Sequence, residues 1–143
     1  MTRWILADTS AIVGLFLRDD EWHDPAREAL EGLKAARRRM LATSDIFDET
    51  VTAIRRWAGY RPSIEAGETL RTSRLITVVP VDEEVRESAW RRFRKMNDPH
   101  LSLTDCTSFA IMERFGIKEA FTFDTHFRRA GFEVLPRPDV GRA

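Results

Sequence analysis

A chain of 143 residues is long enough for one domain with a real core and too short for two ordinary ones. Its 43% hydrophobic and 32% charged residues exclude a disordered polymer, and its longest apolar run, residues 11–17, is far short of a membrane span. The formal net charge of zero argues against a non-specific nucleic-acid coat but leaves room for local basic patches, since 20 of the 23 cations are arginine.

The single cysteine, Cys106, has no intramolecular partner, and the N-terminus carries no secretion signal. Both point to a cytoplasmic protein with no membrane association. Arginines cluster at Arg37-Arg38-Arg39, Arg55-Arg56, Arg91-Arg92 with Arg94-Lys95, and Arg128-Arg129.

In chain order, "TRWILA" reads as a short buried strand, followed by Asp8 and a helix over about 10–17. Asp24-Pro25 predicts a helix start, and that helix runs to about Arg38. "RMLAT" is a strand. Ser44 or Asp45 caps a helix carrying Ile46, Phe47, Val51, Ile54 and Trp57 and stopped by Gly59. Its predicted buried stripe is Phe47, Val51, Ile54 and Ala58. Arg61-Pro62 opens another helix to about Ser73. "LITVVPV" is a β-branched strand. Asp82 caps a helix that includes Val85, Ala89, Trp90 and Phe93, and Ser102 caps one ending near Gly116. "EAFTF" is a strand ending at Asp124, "THFRRAG" a turn of helix, and "FEVLP" a last strand. The tail, 137–143, reads as frayed.

Short apolar strands alternating with helices predict an α/β fold with a mainly parallel sheet covered by helices. Ligands of such folds bind outside the carboxyl ends of the strands. Asp8 and Asp124 both fall at predicted carboxyl ends. Each reads two ways, as a helix cap or as a functional group delivered by its strand. Asp105 lies on the same helix face as Phe109 and Met112, in the first turn. Ser102-x-x-Asp105 resembles a capping box. A cap gains roughly 1 kcal/mol, whereas an unpartnered, partly desolvated carboxylate costs several, so capping alone is a poor reason to aim Asp105 inward. Glu49 falls on the side of its helix with Asp45, Thr52 and Arg56 and reads, on its surroundings, as a solvated glutamate; Asp48 is its rival.

Several carboxylates in one small space raise each other's pKa or recruit a cation. Oxygen donors suit Mg²⁺ or Mn²⁺. Zinc fits less well, because His23, His100 and His126 are scattered without ligand spacing. Neither Ser10 nor Cys106 has the motif of an activated nucleophile, and no P-loop or G-x-G-x-x-G is present.

The segments "LADTSAIVGLF", "SDIFDETVTAIRR", "LSLTDCTSFAIM" and "FTFDTHFRRAGFEVLP" occur in this order. Together they resemble the PIN-domain ribonucleases and, in size and lack of additions, the VapC toxins of bacteria and archaea. The resemblance covers about residues 3–136, and "LSLTDC" and "FTFDTHF" are its most specific parts. It implies a single PIN domain over 1–136, an α/β/α sandwich, with 137–143 as a tail. It also implies a cleft in which Asp8, Glu49, Asp105 and Asp124 hold Mg²⁺, with Mn²⁺ as a substitute. Glu49 enters this set by resemblance alone. Thr9, Ser10 and Thr122 match the hydroxyl positions that accompany these acids, and Asp98 stands outside the core set.

The implied activity is endonucleolytic hydrolysis of RNA, leaving 5′-phosphate and 3′-hydroxyl ends. The implied partners are a cognate VapB-type antitoxin and a second copy of the chain, with the helices over 44–73 offering apolar interface positions. Trp22 or Trp57 at the rim could stack unpaired bases, though Trp57 reads better as core packing. Alternatives are a PIN nuclease in RNA maturation without an antitoxin and a non-catalytic partner-binding module of the same fold. A haloacid-dehalogenase-like phosphatase would want an acid where Ser10 stands. A receiver would want an acidic pair at the first strand and a late lysine.

Overall fold

The computed structural model describes residues 3–138. One five-stranded, wholly parallel sheet runs in the order β3-β2-β1-β4-β5. Its strands are β1 (Trp4–Ala7), β2 (Arg39–Thr43), β3 (Ile76–Val79), β4 (Glu119–Phe121) and β5 (Glu133–Leu135). The helices are α1 (Thr9–Phe16), α2 (His23–Ala35), α3 (Ser44–Ala58), α4 (Tyr60–Thr72), α5 (Glu83–Lys95), α6 (Leu103–Phe115) and α7 (His126–Arg129). Parallel neighbours need crossovers, and the helices that make them flank the sheet as the expected α/β/α sandwich.

The chain grows outward from β1 through β2 to β3, then returns to the other side of β1 as β4. The order therefore reverses between β1 and β4, and this is where an open α/β sheet leaves a crevice at its carboxyl edge. Leu6 and Ala7 pair with Ala120 and Phe121 across that junction. The Asp8 amide continues the ladder by donating to the Phe121 carbonyl at 3.0 Å.

The core explains why these strands are so apolar. Ile5, Leu6, Met40, Phe109, Phe121 and Phe127 are fully enclosed, and Phe109 meets Phe127 edge to face at 5.1 Å. α6 is the central helix: every residue from Asp105 to Met112 is buried, including Thr107 and Ser108. A helix enclosed on all sides is not the amphipathic element its sequence suggests. Its hydroxyls are satisfied internally, Thr107 Oγ1 donating to Asp45 Oδ2 at 3.1 Å and Ser108 Oγ to the Thr104 carbonyl at 3.0 Å.

Several boundaries differ from expectation. α2 begins at His23, one residue ahead of Asp24, and Pro25 sits in the first turn, where no intrahelical N–H bond is lost. The cap of α3 is neither Ser44 nor Asp45 but Thr43, whose side chain accepts from the Ile46 amide. The buried stripe differs as well: it is Ile46, Thr50 and Ile54, with Phe47 and Val51 half-buried and Ala58 exposed. Trp57 is accordingly not core packing: it is 82% exposed. The stop of α6 is as expected, since Gly116 takes the left-handed conformation (φ 66°) that ends the helix. Most of the 137–143 tail lies outside the described residues.

Candidate active site

Asp8 occupies the N-cap position of α1, yet its side chain makes no capping bond. Its Oδ2 instead accepts from Thr122 Oγ1 at 2.8 Å and from Ser10 Oγ at 3.2 Å. Each hydroxyl is held in turn by the strand beyond: the Phe123 amide donates to Ser10 Oγ at 3.0 Å, and the Asp124 amide to Thr122 Oγ1 at 2.9 Å. Two small hydroxyl residues thus tie the end of β1 to the segment after β4 and orient one carboxylate between them.

The Asp8 carboxyl is 4% exposed. Burial pushes its pKa from 3.8 up to about 7; the Thr122 hydrogen bond opposes this, and the nearby charges of Asp105 and Asp124 add to it.

Asp105 makes the capping box that its sequence resembles, and its side chain is buried as well. The Ser102 side chain accepts from the Asp105 amide, and Asp105 Oδ2 accepts from the Ser102 amide, each at 3.0 Å, completing a capping box. The same carboxylate is buried and faces the cleft. Burial raises its pKa above the ordinary 3.8 against the pull of the Ser102 amide, and the Asp124 charge raises it further.

Asp124 is not the cap of α7, a position held by Thr125. It closes a turn instead, its Oδ1 accepting from the His126 amide at 2.9 Å.

One residue in the cluster departs from the sequence reading. His126, grouped there with two scattered histidines, stands beside the acids and is 8% exposed. Its Nδ1 lies 2.9 Å from Asp124 Oδ1 and 3.1 Å from Asp105 Oδ2, yet makes no hydrogen bond to either. Donor atoms of Asp105, Asp124 and His126 all lie within 4.8 Å of one another, a spacing that can hold a metal ion. On the far side, His126 Nε2 faces Asp98 Oδ2 at 3.5 Å, and Arg129 pairs with that same oxygen at 3.1 Å. The signal in the sequence was the "DTH" step, which sets a histidine two residues from an acid at a strand end.

Glu49 does not join this group. It is exposed on α3, lining a shallow hollow with Asp45, Asp48, Arg56 and Thr104. Thr104, the residue before Asp105, lines the same hollow, but none of the cleft acids does. Thr9 is half-buried, and its Oγ1 has no hydrogen-bond partner. Beyond Asp124 runs a groove of about 900 Å³ lined by Trp22, Ala29, Leu33, Phe123, Arg128 and Arg137 among others. Trp22 stacks on Phe123 at 4.7 Å, the two rings 5° from parallel, and forms its aromatic wall.

Comparison with known proteins agrees with this architecture. The PIN domain family model matches residues 5–133. The chain is 34% identical over 134 residues to the 23S rRNA-specific endonuclease VapC20 of Mycobacterium tuberculosis, matching 92% of this chain and 98% of that protein. The crystal structure of M. tuberculosis VapC20, described as a Sarcin-Ricin loop cleaving toxin, superposes with a TM-score of 0.80 at 30% identity, over 90% of this chain and 95% of that one. FitAcB from Neisseria gonorrhoeae shares the fold, with a TM-score of 0.66 at 19% identity over 91% of this chain and 95% of that one. The chain therefore belongs to the PIN-domain family, as a VapC-type endoribonuclease.

Proposed function

We propose that the cleft between β1 and β4 is a divalent-metal site that hydrolyses a structured RNA, and that the protein is the toxin of a VapBC-type pair. The observation that carries this reading is the convergence of Asp8, Asp105 and Asp124, with no lysine or arginine among the described residues hydrogen-bonded to Asp8 or Asp105. Asp8 and Asp105 are buried and Asp124 is half-buried, their charges repel one another, and a divalent ion would relieve that repulsion. The ligands would be Asp8, Asp105 and Asp124, with Glu49 reaching in from α3. Mg²⁺ suits an oxygen-rich set, and Mn²⁺ substitutes for it. A metal ion bound there offsets phosphate charge and activates water for in-line attack.

The chain's own residues do the positioning. Ser10 and Thr122 hold the Asp8 carboxylate toward the cleft, and the capping box locks Asp105 at the rigid end of α6. In that arrangement Asp105 or Asp124 would orient a water and accept its proton. Arg128 and Arg137 line the groove leading away from Asp124, where they can hold flanking phosphates, and the Trp22–Phe123 stack offers an aromatic face to an unpaired base.

Likeness to VapC20 over nearly the full length of both chains supports a ribosomal RNA loop as the target class. The antitoxin would cover the cleft. Trp57, Tyr60 and Ile64, exposed on α3 and α4, offer an apolar surface to a second copy. Among the described residues no helix is long and apolar enough to cross a membrane, which is compatible with action on cytoplasmic RNA.

The test is incubation of the purified protein with 5′-labelled 23S rRNA and a structured RNA pool in Mg²⁺, Mn²⁺ or EDTA, beside Asp8→Asn and Asp105→Asn. Discrete cuts that need metal and vanish in both variants support the reading. Cleavage that survives both substitutions overturns the site assignment. Absence of any cleavage by folded, antitoxin-free protein favours a non-catalytic binding module.

A further inference from the structure

We infer that His126 supplies a nitrogen ligand, through Nδ1, to the ion held by Asp105 and Asp124, and that this donor makes the site favour Mn²⁺ over Mg²⁺. The inference rests on the metal-dependent reading above and adds to it a ligand that is not a carboxylate.

Three observations carry it. First, Nδ1 is a buried polar atom with no hydrogen-bond partner, although two carboxylate oxygens stand 2.9 and 3.1 Å away. Buried polar atoms are nearly always paired, so an orphan of this kind asks for a ligand. A protonated Nδ1 bridging the acids would direct its N–H at one of those oxygens, and the ring orientation directs it at neither.

Second, the distances suit coordination. Adjacent ligands of an octahedral ion with bonds of about 2.1 Å stand roughly 3.0 Å apart. The two separations from Nδ1 bracket that value, and all three donors fall within 4.8 Å.

Third, the other face of the ring is built as a support. Nε2 faces Asp98 Oδ2 at 3.5 Å. Asp98 is itself anchored, by the His100 amide at 3.0 Å and by Arg129 at 3.1 Å. A carboxylate behind a histidine keeps the proton on the outer nitrogen and turns the inner lone pair toward a metal. This gives Asp98, an acid outside the expected set, a positioning role.

The consequence for ion choice follows from donor chemistry. Mg²⁺ takes oxygen ligands and gains little from imidazole, whereas Mn²⁺ accepts nitrogen and oxygen together.

The experiment loads the metal-free protein with Mn²⁺ and records electron spin-echo envelope modulation for nitrogen-14 coupling. Wild type, His126→Gln, Asp98→Ala and Asp105→Asn are compared, each with circular dichroism to establish folding, and Mn²⁺ and Mg²⁺ affinities are measured by calorimetry. The inference expects nitrogen modulation in wild type and its loss in His126→Gln. It also expects Mn²⁺ affinity to fall at least about 10-fold in that variant and several-fold in Asp98→Ala, with Mg²⁺ affinity nearly unchanged. Mn²⁺ binding that depends on Asp105 but shows no nitrogen modulation in wild type overturns this inference and leaves the nuclease reading standing. Modulation that persists in His126→Gln assigns it to another nitrogen and also overturns it. Failure of wild type to bind either ion overturns the metal reading itself, and this inference with it. If His126→Gln does not fold, absence of modulation in wild type still overturns the inference, and His126→Ala or His126→Asn replaces that variant for the assignment.

Discussion

At the outer seam of α5 and α6, Asp82 caps α5 by accepting from the Val85 amide, and Arg114 donates to it at 2.8 Å while also reaching Glu84. At the carboxyl edge of the sheet, the hydrogen bonds that Asp8 and Asp105 accept among the described residues come from hydroxyl and amide groups, and both carboxyls feel the charge of Asp124. The same carboxyl group responds in opposite directions. Arg114 and the helix amide hold Asp82 below its ordinary pKa, whereas burial and neighbouring acids push Asp8 and Asp105 above it. Asp82 comes with its cation, whereas among the described residues Asp8 has no arginine or lysine partner and Asp105 has only His126 beside it. Unrelieved repulsion of that kind marks a functional site better than acidity does.

The strongest way to break the contrast is to neutralise a cleft acid. Asp8→Asn is expected to reduce RNA cleavage at least about 100-fold, read from initial rates with labelled RNA. The same variant should be more stable than wild type in the absence of divalent ions, on the order of 2 kcal/mol at pH 8 by urea unfolding, because a buried charge has been removed. An Asp8→Asn variant that is inactive and also markedly less stable would make Asp8 a structural residue.

Metal should erase that difference. Saturating Mn²⁺ or Mg²⁺ is expected to raise the wild-type melting temperature by several degrees and that of Asp8→Asn by much less, as measured by calorimetry. Equal shifts would place the bound ion elsewhere.

The pH dependence sharpens the comparison further, and its signs are opposite in the two regions. Asp8 titrates near 7 in the folded chain and near 3.8 when unfolded, so between those values the folded state binds the extra proton. Its contribution is fully present below about pH 4 and declines as pH rises through 7. Asp82 is held below its unfolded value, so its contribution is present above the unfolded pKa and is lost as the pH falls through the folded one. Wild type minus Asp8→Asn, measured without metal from pH 5 to 8, should show a gap that widens with pH. A flat difference would show that Asp8 is not held protonated by its surroundings.

Smaller effects belong to the outer surface. Arg114→Ala should lower the melting temperature slightly, less so in high salt, and leave cleavage unchanged. Trp57→Ser should change stability by no more than about 0.5 kcal/mol, since the ring is 82% exposed, and should weaken self-association in sedimentation. A large loss of stability would mean that Trp57 is covered within the folded unit after all.

Most of the site's backbone was legible because its signals are local. An acid at the end of an apolar run is recognised from the run alone, as at Asp8 directly after β1; Asp124 closes such a run too, although β4 itself stops three residues earlier, at Phe121. Ser102-x-x-Asp105 announced its capping box. The reading failed where the answer depended on what packs against what. Trp57 follows an apolar periodicity and so reads as core packing, but α3 turns Ile46, Thr50 and Ile54 inward and leaves Trp57 exposed. His126 was passed over because metal-ligand spacing was sought along the chain, whereas its companion Asp105 is twenty-one positions earlier.

What the sequence determined by itself was the alternation of short β-branched strands with capped helices, and hence a parallel sheet with acids at its carboxyl edge. Strand propensity, caps and turn residues act over a few neighbours and can be read in one dimension. Tertiary structure alone decided that β4 returns beside β1 and not beyond β3. That single choice brings Thr122 to Asp8, Asp124 to Asp105, and the bare Nδ1 of His126 between two carboxylates. Those contacts span up to 114 positions and arise from burial of the sheet's two faces, a property of the whole chain that no local window contains.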